Sequence, residues 1–266
     1  MLFRRLFLCA LFVGILAGFF DSALQRWQVV PMILAAEAYE GALETAAHSH
    51  EDGAAAHSHE PEAWAPKDGL ERTAATVLAN ILNSIGSALL LLALMSLWNR
   101  FRGGQARSTP GADAAPLRHG LLWGAAAWFC LFAMPAAGLP PELPGMQAGA
   151  LQARQLWWLF AVLCGAGGLA VLCLVRTKWR VLGLGLLVLP FAIDAPHSDG
   201  SPFVGFEAEA AVQMALLAQR FVMATALASA LQWLLLGVLC ALAGARWLNP
   251  LLRPVEPSGT PAGVLR

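Results

Sequence analysis

The chain has 266 residues, 58% of them hydrophobic and only 13% charged, with a mean hydropathy of +0.61. A soluble globular domain carries about a quarter charged residues, so this composition excludes that class and points to an all-α, polytopic membrane protein. The formal net charge of zero conceals a sorted pattern, because the 17 basic and 17 acidic residues occupy different parts of the chain.

The chain opens on MLFRRLFLCALFVGILAGFF, positive charge before an apolar run, as in a signal peptide. No small-x-small cleavage site closes it, so a retained first span over Leu2 to Phe20 is expected, its arginines snorkelling to the interface. A spanning helix needs about 20 residues to cross roughly 30 Å of hydrocarbon. Further spans are predicted at Ala74 to Trp98, Gly120 to Ala137, Leu156 to Val175 and Phe221 to Gly244. Trp179 to Ala195 is weaker, being short and interrupted by Gly183, Gly185 and Pro190. The expectation is a bundle of about six transmembrane helices, five if this segment is re-entrant or tilted. One membrane domain would cover 1–245, with a His-rich outer loop at 21–73 and a disordered cytoplasmic tail at 246–266.

Basic residues orient that bundle. With six spans and both termini cytoplasmic, twelve of the seventeen Lys and Arg fall inside, among them Arg4, Arg5, Arg100, Arg176, Lys178 and Arg246. Cytoplasmic loops are the ones enriched in Lys and Arg. Fifteen of the seventeen acidic residues and five of the six histidines fall on the opposite side. A cation arriving there meets a negative, imidazole-bearing vestibule that raises its local concentration.

The first outer loop carries the chief candidate site. AHSHEDGAAAHSHE at 47–60 repeats A-H-S-H-E and holds His48, His50, His57 and His59, with Glu51, Asp52 and Glu60 beside them. Histidines two apart do not share a helix face, but an extended or turning chain brings them together. Neutral imidazole suits cobalt, nickel, copper and zinc better than all-oxygen ions. Binding then weakens as pH falls through the histidine pKa of about 6.5. The plainer alternative is a solubilising loop, since short His-rich tracts are only compositional signals.

On its flanks, QVVPMILAAEAYE at 28–40 reads as a short outer helix with Glu37 and Glu40 on a carboxylate face. WAPKDGLERT at 64–73 places a turn at Asp68 and puts Glu71 in the favourable first turn of the next helix. Arg72 there reads as an ordinary phosphate anchor. Further along, AAGLPPELPGMQ at 136–147 forms a rigid proline-rich lid containing Glu142. DAPHSDG at 194–200 gathers Asp194, His197 and Asp199 at a membrane exit, either an ion-receiving site beside an interrupted helix or a surface turn.

Within the spans, Asn80, Asn83 and Ser87 are spaced to share a face, and Thr225, Ser229 and Gln232 form a second polar line. Both serve equally as lining groups or as helix–helix glue. GILAG at 14–18 and GLLWG at 120–124 carry the GxxxG spacing of close helix packing. The five cysteines lie in apolar stretches without a CxxC pair and read as small core hydrophobes. GxxxxGK[ST], HExxH and GxGxxG motifs are absent, so nucleotide binding and zincin chemistry have no support. No basic aromatic stripe indicates nucleic acid.

Read together, several segments resemble the CbtA family, the proposed cobalt transporter subunit. They are FRRLFL at 3–8, AAEAYE at 35–40, the histidine tract, WAPKDGLERT, HGLLWG at 119–124, GLPPELPGM at 138–146, ARQLWW at 153–158 and APH at 195–197. The resemblance runs in order from about residue 3 to 245. It implies a multi-pass protein of the bacterial inner membrane that takes part in cobalt uptake, often associated with cobalamin biosynthesis. It also implies a small single-span membrane partner, CbtB, with a histidine motif of its own. The family's histidine region maps to His48, His50, His57 and His59, and its proline–histidine element to Pro196 and His197. Ser198 stands where the family typically continues with a second proline, and the family is often described with five spans. Co2+ is the implied transported ion, with Ni2+ or Zn2+ as the alternatives that the imidazoles would also accept. Two functions follow: a permease subunit with a capture loop, or a non-transporting scaffold or sensor that delivers metal to a partner permease. An enzyme is not expected, because no base, nucleophile and orienting group converge.

Overall fold

Lipid offers no partner for backbone N–H and C=O groups, so an apolar chain must satisfy them internally. Every regular element among the described residues is accordingly helical. The structure, a computed structural model, describes residues 2–48, 66–102, 116–198 and 200–248. Helix α1 spans Leu2–Gln28 and α2 Val30–His48, with Pro31 in the first turn of α2, where its missing N–H costs nothing. Helix α3 spans Leu70–Arg102 and α4 Pro116–Gly138. Inside α4, Phe129–Ala133 form a π turn directly before Pro135. A proline ring clashes with the carbonyl four residues back, and the wider turn relieves that crowding. Helix α5 is Leu151–Leu174, α6 Val181–Ala192 after a 3₁₀ turn at Lys178–Arg180, and α7 Ala208–Ala243, extended by a π turn at Gly244–Leu248.

Five helices are long and apolar enough to cross a membrane: α1, α3, α4, α5 and α7 with its π turn. The weak sixth segment is helical for only 12 residues. Even so, its chain retraces α5. Arg180 Nε donates to the Leu172 carbonyl at 2.9 Å near one end of the hairpin, and Trp157 Nε1 donates to the Ile193 carbonyl at 3.1 Å near the other. Leu172 and Trp157 lie about 22 Å apart along α5 at 1.5 Å per residue. Beyond them, a methyl on Gly149 would sit 2.6 Å from the Pro196 carbonyl, so the chain has come back to where α5 began. The path therefore traverses the bundle six times, the fifth traverse in chain order being made by a 3₁₀ turn, a short helix and extended chain.

The traverses define two ends. The start of α1, the end of α3, the start of α4 and the end of α7 meet at the proximal end, around Cys9, Met95, Ala241 and Leu248. The end of α1, all of α2, the lid at 139–147 and the start of α7 meet at the distal end, around Leu24, Ala36, Leu143, Met214 and Phe221. Glycine permits the close approach that holds the long helices together. A methyl on Gly14 or Gly18 would lie 2.5 Å from Cα of Ile85 or Ile81 on α3, and Gly120 packs on the Gly237 carbonyl of α7 in the same way at 2.6 Å. Both GxxxG spacings thus act in packing, as their sequence indicates.

Candidate functional site

The distal end is where most of the candidate residues converge or begin. His48 is the last residue of α2. His50, Glu51, Asp52, His57, His59, Glu60 and Asp199 lie outside the described residues. Both stems of the histidine tract are fixed, however. Arg72, in the first turn of α3, holds the Glu37 carboxylate of α2 with two nitrogens, one at 3.0 Å, and also reaches Asp68 at 3.0 Å. The turn before α3 is closed by Gly69 at φ 100°, with Thr73 N–H donating to the Gly69 carbonyl and Arg72 N–H to that of Lys67. Arg72 is therefore a bidentate clamp between two helices, a role that its sequence neighbourhood did not suggest. Glu37 is committed to that clamp and leaves no free carboxylate face with Glu40.

A second clamp fixes the lid. Arg154 of α5 binds Glu142 at 2.6 Å, and Gln147 N–H donates to the Pro202 carbonyl at 2.9 Å. Asp194 and His197 both lie exposed on the extended chain after α6, positioned by the Trp157 bond and the Gly149 contact. Among the described residues, no three His, Cys, Asp or Glu side chains come together as a metal site. His119 belongs to the opposite end, where its Nε2 accepts from Trp123 Nε1 at 3.0 Å.

Beneath the distal rim a polar seam runs into the bundle between α1, α3 and α7. Asn80 Nδ2 donates to Ser22 Oγ at 3.1 Å and to Gln25 Oε1 at 3.3 Å, and Gln25 Nε2 donates to Asp21 Oδ2 at 3.0 Å. Deeper, Gln232 Nε2 of α7 donates to Ser84 Oγ of α3 at 2.8 Å, both side chains being buried. The oxygens of Gln232, Thr225 and Gln28 are buried with no hydrogen-bond partner. Past Ser84 the interface becomes apolar, through Ala88, Leu91, Leu92 and Met95 on α3. The seam is thus polar from the distal end to mid-bundle and closed by hydrocarbon below.

Two details differ from the expected polar faces. Asn83 is exposed, and Ser84 takes the inward position one turn below Asn80. Asp21, which the predicted span boundary at Phe20 assigned to a loop, is buried inside α1 at 6% exposure. The signal that could have found it is the unbroken helical composition from Asp21 to Gln28, with no glycine or proline to end the span.

Residues 3–244 match the family described as a probable cobalt transporter subunit (CbtA). No curated protein and no solved structure matches the chain. The match covers most of the chain, and the chain belongs to this family.

Proposed function

We propose that this CbtA-family chain is the membrane subunit through which a divalent transition metal, cobalt first, is taken up, with His48, His50, His57 and His59 capturing the ion. The observation that carries the reading is the seam: the end that holds both stems of the histidine tract is also the end from which polar groups lead inward. That end would face outward from a bacterial inner membrane, the proximal end and both termini lying in the cytoplasm. Glu51, Glu60, Asp194, His197 and Asp199 would add oxygen and nitrogen donors around the mouth. A loosely held set of imidazoles raises the local metal concentration without retaining the ion, which suits capture and transfer.

The amides and hydroxyls of Asn80, Ser84, Thr225 and Gln232 then replace part of the ion's water as it descends. The apolar proximal half must open for the ion to leave. With no nucleotide motif in the sequence, that opening draws on a gradient or on a second subunit, and a small single-span protein of the CbtB kind fits that role. No step in this scheme is enzymatic. The second reading, a scaffold or sensor that passes metal to a separate permease, is favoured by one observation: the described residues hold no cluster of three metal-ligating side chains.

Metal flux into proteoliposomes separates the two. The purified chain, alone and with its partner, is compared for cobalt, nickel and zinc against a variant with the four tract histidines changed to alanine. Uptake predicts saturable cobalt flux that the variant loses chiefly at low ion concentration, by about tenfold, as for a loss of roughly 1.4 kcal/mol of capture. Binding without flux under either condition supports the scaffold.

A further inference from the structure

Asp21 is a buried carboxyl that the uptake scheme leaves without a task. It lies in the membrane-spanning helix α1, 6% exposed, and its recorded partner is a single neutral amide, Gln25 Nε2 at 3.0 Å. The donors run one way: Asn80 donates to Gln25 and Ser22, Gln25 donates to Asp21, and Ser22 Oγ turns back to the Gly18 carbonyl at 2.7 Å.

Among the described residues no opposite charge reaches it. On α3 the group at this level is the neutral Asn80, and Arg72, two turns above, is held by Glu37 and Asp68. On α7, Thr225 and Gln232 are neutral and Arg220 is exposed. On α1 itself Arg26 is exposed, and on α2 Glu37 is paired while Glu40 lies against the lid at Gly145. An ionised carboxylate so placed costs several kcal/mol. One hydrogen bond to a charged group returns about 1.5–3 kcal/mol. The charge needs a positive ion on the carboxyl itself.

The geometry selects which ion. Ser22 Oγ and Gln25 Oε1 both already accept from Asn80, and Gln25 turns its Nε2 donor, not its oxygen, toward Asp21. A hard cation needs about six oxygen ligands, and a transition metal prefers imidazole. A proton needs only the carboxyl. We propose that Asp21 is a proton-binding site inside the membrane, carrying one proton at neutral pH. Gln28, two turns above on the same helix with a buried, unpartnered oxygen, stands between that site and the distal rim, on the side from which the proton is exchanged. Coupling of this proton to metal movement rests on the uptake reading; its presence on Asp21 does not.

Infrared spectroscopy of the purified full chain in lipid tests this through the C=O stretch of a protonated carboxyl. At neutral pH the wild type shows such a band and Asp21→Asn lacks it. In Gln25→Leu, which removes the amide donor, the band moves to higher frequency; this arm decides the matter if Asp21→Asn does not fold. Identical spectra for wild type and Asp21→Asn, or a band that Gln25→Leu leaves in place, overturn the proposal. So does an ionised-carboxylate band that is lost in Asp21→Asn and moves on adding Co2+. Flux is not part of this readout, so a chain that holds the proton yet moves no metal sinks only the uptake reading.

Discussion

At the proximal end, Cys9, Val13, Leu91, Leu92 and Cys240 meet in an apolar core, and helix backbones touch at Gly120 and Gly237. At the distal end the Arg72–Glu37 and Arg154–Glu142 pairs, a lid and the polar seam bind the same long helices. Lipid tails are as apolar as leucine, so helices in a bilayer gain nothing from the hydrophobic effect between themselves and depend on close packing and hydrogen bonds. The proximal half relies on the first, and the distal half adds the second to its own packing. The division also fits the uptake proposed above, in which a hydrated ion enters at one end while the other stays closed at rest.

Breaking the packed half has the largest expected effect. A methyl on Gly124 already meets the Trp233 backbone, so Gly124→Leu drives α4 off α7. A loss of about 3 kcal/mol, the upper range of overpacking, should remove the monodisperse peak in size-exclusion chromatography. Gly86→Leu, where a side chain meets open space, should leave that peak unchanged. A smaller effect is expected in the seam. A double-mutant cycle between Gln232→Leu and Ser84→Ala, read by equilibrium unfolding, should give a coupling of about 0.6–1.7 kcal/mol, the range for hydrogen bonds between membrane helices. The smallest is at the rim. Arg72 and Glu37 are each about one-third exposed, at 36% and 33%. Solvent screening holds their pair to below about 1 kcal/mol. The thermal midpoint should therefore fall only slightly in Arg72→Ala, and the difference should shrink further at high salt. Equal losses from Gly124→Leu and Arg72→Ala would contradict the division itself.

Much of this arrangement was legible beforehand where one local rule decides the outcome. The GxxxG spacings marked close packing on α1 and α4, though not the partners α3 and α7, and the Lys-Asp-Gly turn with Glu71 in the following first turn marked the start of α3. Apolar segment lengths left five or six spans open and the Lys and Arg distribution favoured six; five helices are long enough to cross, and α6 is too short to do so as a helix by itself. What escaped were pairings over long separations. Nothing local tells Glu37 that its partner is Arg72, or Glu142 that its partner is Arg154. Asp21 escaped because the predicted span stops at Phe20, whereas Gln25 and Asn80 allow the carboxyl to remain inside. Asn83 and Ser84 exchanged roles because a single helical step decides which of two adjacent polar residues faces the bundle. Of the metal-ligand candidates, only Asp194, His197 and the backbone of His48 fall within the described residues.

Uptake through the distal end requires the polar half to open outward, and sided labelling tests that directly. Gln147 is exposed on the distal lid and Lys178 at the turn between α5 and α6. Each is changed to cysteine in a background with the exposed Cys173 changed to serine, leaving four buried cysteines. A membrane-impermeant maleimide should label position 147 in intact cells, and position 178 only after the inner membrane is opened. Labelling of 178 from outside, with 147 protected until lysis, would place the histidine tract in the cytoplasm and contradict uptake through this end.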